Sequence, residues 1–111
     1  MQDCIFCKII QKQVPTEMVA ENDTVIVVKD IAPKAPIHYL IIPKNHIKNV
    51  VDLDDSMAQD GFGILQMART LSKDLPGSQS FRLIMNNGVD AGQTVFHLHC
   101  HFISGKHLSD F

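Results

Sequence analysis

Apolar residues recur along this chain at spacings that predict two helices of unequal length. Near the N-terminus, Asp3 could cap a short helix over residues 4–11. Its apolar side would be formed by Ile5, Phe6, Ile9 and Ile10. A longer helix is predicted over about 54–75, with acidic residues at its start and Pro76-Gly77 after its end. Its apolar face is expected to consist of Phe62, Leu65, Ala68, Leu71 and Leu75.

Other segments have the composition of strands. Residues 24–29 are rich in β-branched side chains, and 38–42 form a second apolar run that Pro43 is expected to end. Two further strands are predicted over 81–86 and 95–103. The order of short helix, strands, long helix and strands predicts an α+β domain with a largely antiparallel sheet.

Length and charge narrow the classes of protein that fit. At 111 residues the chain is expected to form a single domain over 1–111. The net charge of −2, without a run of Lys or Arg, does not indicate a nucleic-acid surface. No apolar stretch approaches the roughly 20 residues that span a bilayer. Three cysteines, two of them in a Cys-x-x-Cys, favour a reducing compartment, and we expect the cytoplasm.

The segment His97-Leu98-His99-Cys100-His101 carries the strongest functional signal. In an extended strand these three histidines would lie on one face, opposite Leu98 and Cys100. Buried imidazoles need a partner such as a ligand, an anion or a metal ion. The alternative is a fortuitous cluster of surface histidines. The apolar residues on the opposite face favour a site.

The turn before the histidines has the composition of an anion-binding loop. Glycine allows close approach of the backbone, and successive N–H groups can hold an oxyanion. Candidate phosphate contacts are Asn86, Gly92, Gln93 and Thr94, beside His99. The alternative is an ordinary connecting turn whose side chains bond only its own backbone.

Asp30 follows a predicted strand, where a carboxylate could accept the two hydroxyls of a ribose or simply form a turn. On their own spacing, Phe6 and Ile9 are better explained as core residues than as a base pocket. Cys100 points away from the histidines and is expected to be a packed thiol.

Cys4 and Cys7 are spaced to present two sulfur ligands on one side of a helix, as tetrahedral zinc requires. A redox pair or two buried thiols would have the same spacing. Two histidines would have to complete a structural zinc site. The residues alone leave four candidates open: His38, His46, His97 and His107.

Taken together, these motifs resemble the histidine triad (HIT) family, whose signature is His-φ-His-φ-His-φ-φ with φ apolar. Here the signature is read over residues 97–103, and the match extends to 30–38, 42–46 and 86–88. The nearest branch looks like the small nucleotide-binding, purine nucleoside phosphoramidase type. The resemblance implies a HIT-like fold with a five-stranded, mainly antiparallel sheet, and a homodimer in which two sheets join.

The resemblance also implies a role for each site residue. His99 would attack the α-phosphorus of a purine nucleotide conjugate, giving a nucleotidyl-histidine intermediate that water hydrolyses. His101, Asn86, Gly92, Gln93 and Thr94 would contact the phosphate, and His38 would support the catalytic side of the pocket. Asp30 would hold the ribose, with Phe6, Ile9, Val28 and Ile31 around the base. The product would be AMP.

Zinc-containing branches of the family carry a Cys-x-x-Cys that many phosphoramidase-type members lack. By that resemblance the ligands are Cys4, Cys7, His46 and His97, which would hold one structural zinc ion per subunit. Two other functions are compatible with the same motifs. One is hydrolysis of dinucleoside polyphosphates, and the other is a zinc-stabilised nucleotide-binding or interaction module without a catalytic role.

Overall fold

Five strands form one sheet in the computed structural model, which describes residues 4–110. The strands are β1 (Met18–Glu21), β2 (Val25–Lys29), β3 (Ile37–Pro43), β4 (Phe81–Ile84) and β5 (Cys100–Ser104). Their order in the sheet is β1-β2-β3-β5-β4, and each neighbouring pair is antiparallel. The predicted α+β class and the HIT-like five-stranded antiparallel sheet are confirmed.

The two predicted helices are present with shorter bounds. They are α1 (Ile5–Ile10) and α2 (Ala58–Asp74). Asp3, the predicted cap of the first helix, lies outside the described residues; Cys4 is the N-cap, and its Sγ accepts the Cys7 N–H at 3.3 Å. A 3-10 turn, Asp55–Met57, replaces the predicted first turn of the long helix, and another, Val50–Asp52, precedes it. No helix within residues 4–110 is long and apolar enough to cross a bilayer.

Alternation along β2 divides the core between the two faces of the sheet. Val25 and Val27 pack with α2, whereas Ile26 and Val28 pack with α1 on the opposite face. In the register of β3 and β5, Leu40 lies beside His101 and His38 beside Ile103. Because Leu40 packs with α1, both histidines lie on the α1 face.

The predicted apolar face of the long helix was wrong in part. Phe62 and Leu65 are about half exposed, at 51% and 53%. The buried stripe is shifted around the helix and follows the spacing i, i+3, i+4, i+7. It consists of Ile64, Met67, Ala68 and Leu71.

Three predictions about strands also need correction. The edge strand β1 was not predicted, because its four residues carry no period-2 pattern and its pairing with β2 shifts register between Met18 and Ala20. Pro43 lies inside β3 and not beyond its end. The last strand begins at Cys100 instead of residue 95, because the Leu98 N–H bonds the Ile47 carbonyl (2.6 Å) and not a strand ladder.

Candidate active site and metal-binding cluster

The three triad histidines do not line one strand face as predicted. His97 and His99 precede β5, and only His101 lies within it. The His97 ring is fully buried and turns toward Cys4 and Cys7, whereas the His99 and His101 rings remain neighbours with centroids 5.3 Å apart. The triad is therefore divided between two adjoining sites.

Backbone carbonyls fix the tautomers of two of these histidines. Nδ1 of His99 lies 2.8 Å from the carbonyl oxygen of His97, and Nε2 of His97 lies 2.8 Å from the carbonyl oxygen of Pro43. A carbonyl oxygen only accepts, so the nearby ring nitrogen must carry hydrogen. In the neutral ring, His99 then has its lone pair on Nε2, and His97 has its lone pair on Nδ1.

A second pair of histidines is oriented by the loop between β2 and β3. The Lys34 backbone N–H donates to Nδ1 of His38 at 2.9 Å, so the neutral His38 ring carries its hydrogen on Nε2. That Nε2 lies 2.9 Å from Nδ1 of His101 and 3.3 Å from Oδ2 of Asp30. Burial lowers the pKa of both His38 and His101, which favours the neutral rings. The His101 hydrogen is therefore left on Nε2.

A pocket of about 410 Å³ opens beside His99. It contains ten of the residues predicted to hold a nucleotide: Phe6, Ile9, Val28, Asp30, Ile31, Asn86, Gly92, Thr94, His99 and His101. It also contains Ile5, Thr16, Lys29, Leu40 and Val95, which were not predicted. Leu40 could have been found from sequence, since it shares a face of β3 with His38 at a spacing of two residues.

Gln93 is a predicted phosphate contact that the structure does not bring to this pocket. Its side chain is buried, with Nε2 donating to the carbonyls of Lys48 (2.8 Å) and Val95 (3.1 Å). Its Oε1 accepts the Gly88 N–H at 2.9 Å and the Asn49 amide at 3.3 Å. These bonds use the Gln93 amide to hold the glycine-rich turn against the segment after β3.

His38 does not line this pocket either. It lies in a neighbouring cleft of about 310 Å³, which shares Asp30, Asn86 and His101 with the larger pocket. Its contribution to the larger pocket is therefore indirect, through the bond to His101.

Cys4, Cys7, His46 and His97 form a cluster that could hold a metal ion. One ligand atom from each residue lies within 4.8 Å of the others. The Sγ atoms lie 3.3 Å (Cys4 to His97), 3.3 Å (Cys7 to His46) and 3.5 Å (Cys7 to His97) from the histidine Nδ1 atoms. The structure thus selects His46 and His97 from the four histidines that spacing left open. Burial raises the pKa of the Cys7 thiol to about 11, which favours the neutral thiol, and a bound cation would oppose this effect by stabilising the thiolate.

Phe6 connects this cluster with the pocket. Its ring meets His97 edge-on at 5.8 Å and His99 at 5.0 Å between centroids, and it lies on α1 between the two cysteines. Cys100 is fully buried away from both sites, as predicted, and burial raises the pKa of its thiol to about 11.

Comparison with known proteins assigns the family. The model described as "Scavenger mRNA decapping enzyme C-term binding" matches residues 3–111. An uncharacterized HIT-like protein of Synechocystis is 40% identical over 97% of this chain and 95% of its own length. Among solved structures, a HIT family hydrolase from Clostridium thermocellum is 45% identical with a TM-score of 0.94, covering 100% of this chain and 97% of that one. A histidine triad protein from Clostridium difficile is 38% identical, with the same TM-score and the same coverage. The chain belongs to the histidine triad family.

Proposed function

We propose that this protein is a nucleotide-binding hydrolase that cleaves at the α-phosphorus of adenosine phosphoramidates or related AMP conjugates. The observation that carries the proposal is the bond between Nδ1 of His99 and the His97 carbonyl. It leaves the Nε2 lone pair of His99 free at a pocket of nucleotide size. A neutral imidazole with a fixed tautomer is what an attack on phosphorus requires.

The lining of the pocket supports a nucleotide as the ligand. Phe6, Ile9 and Val28 form an apolar wall suited to a purine ring. Asp30 faces the same space, and its carboxylate is suited to the ribose hydroxyls. Asn86 and Thr94 lie near His99 and His101 and provide donors for the phosphate oxygens. Gly92 allows close approach of the phosphate to the turn, while its own N–H donates to the Val89 carbonyl at 3.0 Å. Gln93 is not part of the proposed phosphate contacts, because its side-chain amide is engaged elsewhere and its backbone N–H donates to the Gly88 carbonyl at 3.0 Å.

The reaction we propose has two steps, nucleotidylation of His99 and hydrolysis of the intermediate. In the first, the Nε2 electron pair of His99 forms a bond to phosphorus while the bond from phosphorus to the leaving nitrogen breaks. The electron pair of that bond stays on the amine, which takes up a proton. In the second, a water oxygen bonds to phosphorus, the bond to Nε2 breaks with its pair returning to His99, and the water proton is released. Donors from His101, Asn86 and Thr94 stabilise the charge that develops on the phosphate oxygens.

We also propose that the cluster of two cysteines and two histidines binds one structural zinc ion per subunit. Zinc bonds of about 2.3 Å to sulfur and about 2.0–2.1 Å to nitrogen, at tetrahedral angles, set ligands about 3.5 Å apart. The Sγ–Nδ1 distances of 3.3, 3.3 and 3.5 Å fit this spacing. Four protein ligands close the site, so the ion would tie α1 to the segment that carries His99 and would take no part in the reaction. Because reduced thiols are required, we propose a cytoplasmic location.

The homodimer is proposed from the surface around β4. This strand is one edge of the sheet, and its exposed Phe81 lines the same cavity as the exposed Leu65 of α2. Open edges and apolar patches are commonly covered by a partner, and a second copy would extend the sheet. Leu65→Glu is expected to give a monomer in light scattering, whereas Val51→Glu, at an exposed site on the segment after β3, is expected to leave the dimer intact. A dimeric Leu65→Glu would contradict this interface.

Steady-state hydrolysis of an adenosine phosphoramidate beside a diadenosine polyphosphate tests the proposed activity. We expect turnover of the phosphoramidate to be lost in His99→Ala, with AMP binding kept, and to be unchanged in His107→Ala. A preference for the polyphosphate would favour the alternative function of a dinucleoside polyphosphate hydrolase. AMP binding without turnover of either compound would favour a nucleotide-binding module.

A further inference from the structure

A second cleft adjoins the nucleotide pocket on the far side of His101. Its volume is about 310 Å³, and it shares Asp30, Asn86 and His101 with the pocket. It does not contain His99. The residues that belong to the cleft alone are Ala32, Lys34, His38, Ile84 and Ile103.

The order of the imidazole rings places the cleft on the side of His101 that is opposite the proposed nucleophile, His99. The centroids of His99 and His101 are 5.3 Å apart, and those of His101 and His38 are 5.1 Å apart. His101 thus stands between the nucleophile and the cleft. In an in-line displacement the leaving group departs on the side of phosphorus opposite the nucleophile. A phosphate held by Asn86 and His101 would direct its leaving group toward the cleft.

We propose that this cleft is the leaving-group subsite and that Lys34 makes it selective for leaving groups bearing an anion, a carboxylate above all. The inference rests on the proposed function and adds the chemical class of the second half of the substrate.

The charges around the cleft support an anion. Lys34 is exposed at the cleft and forms no ion pair with any carboxylate of the described residues. The one carboxylate of the cleft, Asp30, is shared with the pocket, where we propose that it holds the ribose, so Lys34 is the one charged side chain among the residues that belong to the cleft alone.

A matched series of substrates tests the charge preference. AMP is joined through a P–N bond to β-alanine, ethanolamine or 1,2-diaminoethane, so that the free end is a carboxylate, a hydroxyl or an ammonium group. Wild type, Lys34→Gln, Lys34→Glu and Lys48→Gln are compared by kcat/KM on each compound. Lys48 is exposed and lies in neither cavity, so Lys48→Gln is the control that removes one positive charge away from the cleft.

We expect Lys34→Gln to reduce the carboxylate-to-ammonium ratio of kcat/KM by about fivefold to tenfold, the scale of one exposed charge attracting one group and repelling the other. Lys34→Glu is expected to reverse the preference, and Lys48→Gln to leave the ratio unchanged. Because each ratio is compared between variants, intrinsic differences among the three amines cancel. Adenosine 5′-phosphosulfate and ADP, run in the same variants, distinguish sulfate or phosphate from a carboxylate.

Two outcomes separate this inference from the proposed function. If all three compounds form the nucleotidyl-His99 intermediate but Lys34→Gln and Lys34→Glu leave the ratios unchanged, the subsite assignment is wrong and the hydrolase stands. If none of the compounds forms the intermediate in the wild type, the proposed function is wrong and the subsite falls with it.

Discussion

Replacing His38 tests whether one histidine sets the hydrogen-bonding state of another. His38 is buried and lies between the Lys34 N–H and Nδ1 of His101, at 2.9 Å from each. In His38→Leu the volume is largely kept, but Nδ1 of His101 loses its donor. Leaving a buried polar group without its hydrogen-bond partner costs about 1–3 kcal/mol of free energy. If the reaction depends on the orientation of His101, this corresponds to a loss of about 5- to 150-fold in the rate of nucleotidyl transfer.

His38→Gln is the matched control, because its side-chain amide can reach the position of Nε2 and still donate to His101. We expect this variant to retain most of the lost rate. Single-turnover kinetics measures the nucleotidylation of His99, and nitrogen NMR of labelled histidine measures the tautomer of His101. Wild type should show His101 with its hydrogen on Nε2, and His38→Leu a mixture. A folded His38→Leu that matches wild type in rate and tautomer would refute the reasoning.

Three further predictions concern the metal cluster, pH and the base pocket. Cys7→Ser is expected to lower zinc content from about one ion per subunit to none and to lower Tm, whereas Cys100→Ala keeps the ion; elemental analysis and calorimetry measure both. Because burial lowers the folded-state pKa of His38 and His101 below about 6.5, their contribution to stability is complete above that pH and lost as pH falls through the folded values. Tm should therefore fall on acidification, and it should fall less steeply in His38→Gln than in wild type. Equal slopes of Tm against pH in the two proteins would contradict the claim that His38 is held neutral. Phe6→Leu removes two edge-on ring contacts and is expected to weaken AMP binding about two- to tenfold, as measured by calorimetric titration. An unchanged affinity would show that Phe6 does not contact AMP.

Local sequence pattern was sufficient where the composition of a segment allows only one interpretation. The β-branched run at β2 and the alternation of Leu98 and Cys100 predicted buried residues correctly. The long helix was different, because it offers two overlapping apolar stripes. The stripe with Phe62 and Leu65 fits helical spacing as well as the one with Ile64 and Met67, and only packing against the sheet chooses between them.

The candidate site shows a similar division. The resemblance to the histidine triad family, and not residue spacing alone, predicted ten residues of the pocket and the four residues of the cluster. The resemblance assigned His97 to the cluster and His99 to the pocket, whereas the strand pattern placed all three histidines on one face. The sequence could not foresee the hydrogen bond between residues 98 and 47, beyond which the strand begins only at Cys100. Nor could it foresee that Gln93 is engaged by Lys48 and Asn49, which lie far away along the chain.

The most direct test of the central claim is to trap the nucleotidyl-histidine intermediate. Wild type, His99→Ala and His107→Ala are mixed with an adenosine phosphoramidate, quenched in alkali, which preserves phosphorus–nitrogen bonds on histidine, and analysed by intact-protein and peptide mass spectrometry. We predict one AMP moiety per chain on the peptide containing His99 in wild type and His107→Ala, and none in His99→Ala. An adduct that persists in His99→Ala, or rapid turnover of wild type with no adduct at His99, would contradict the account.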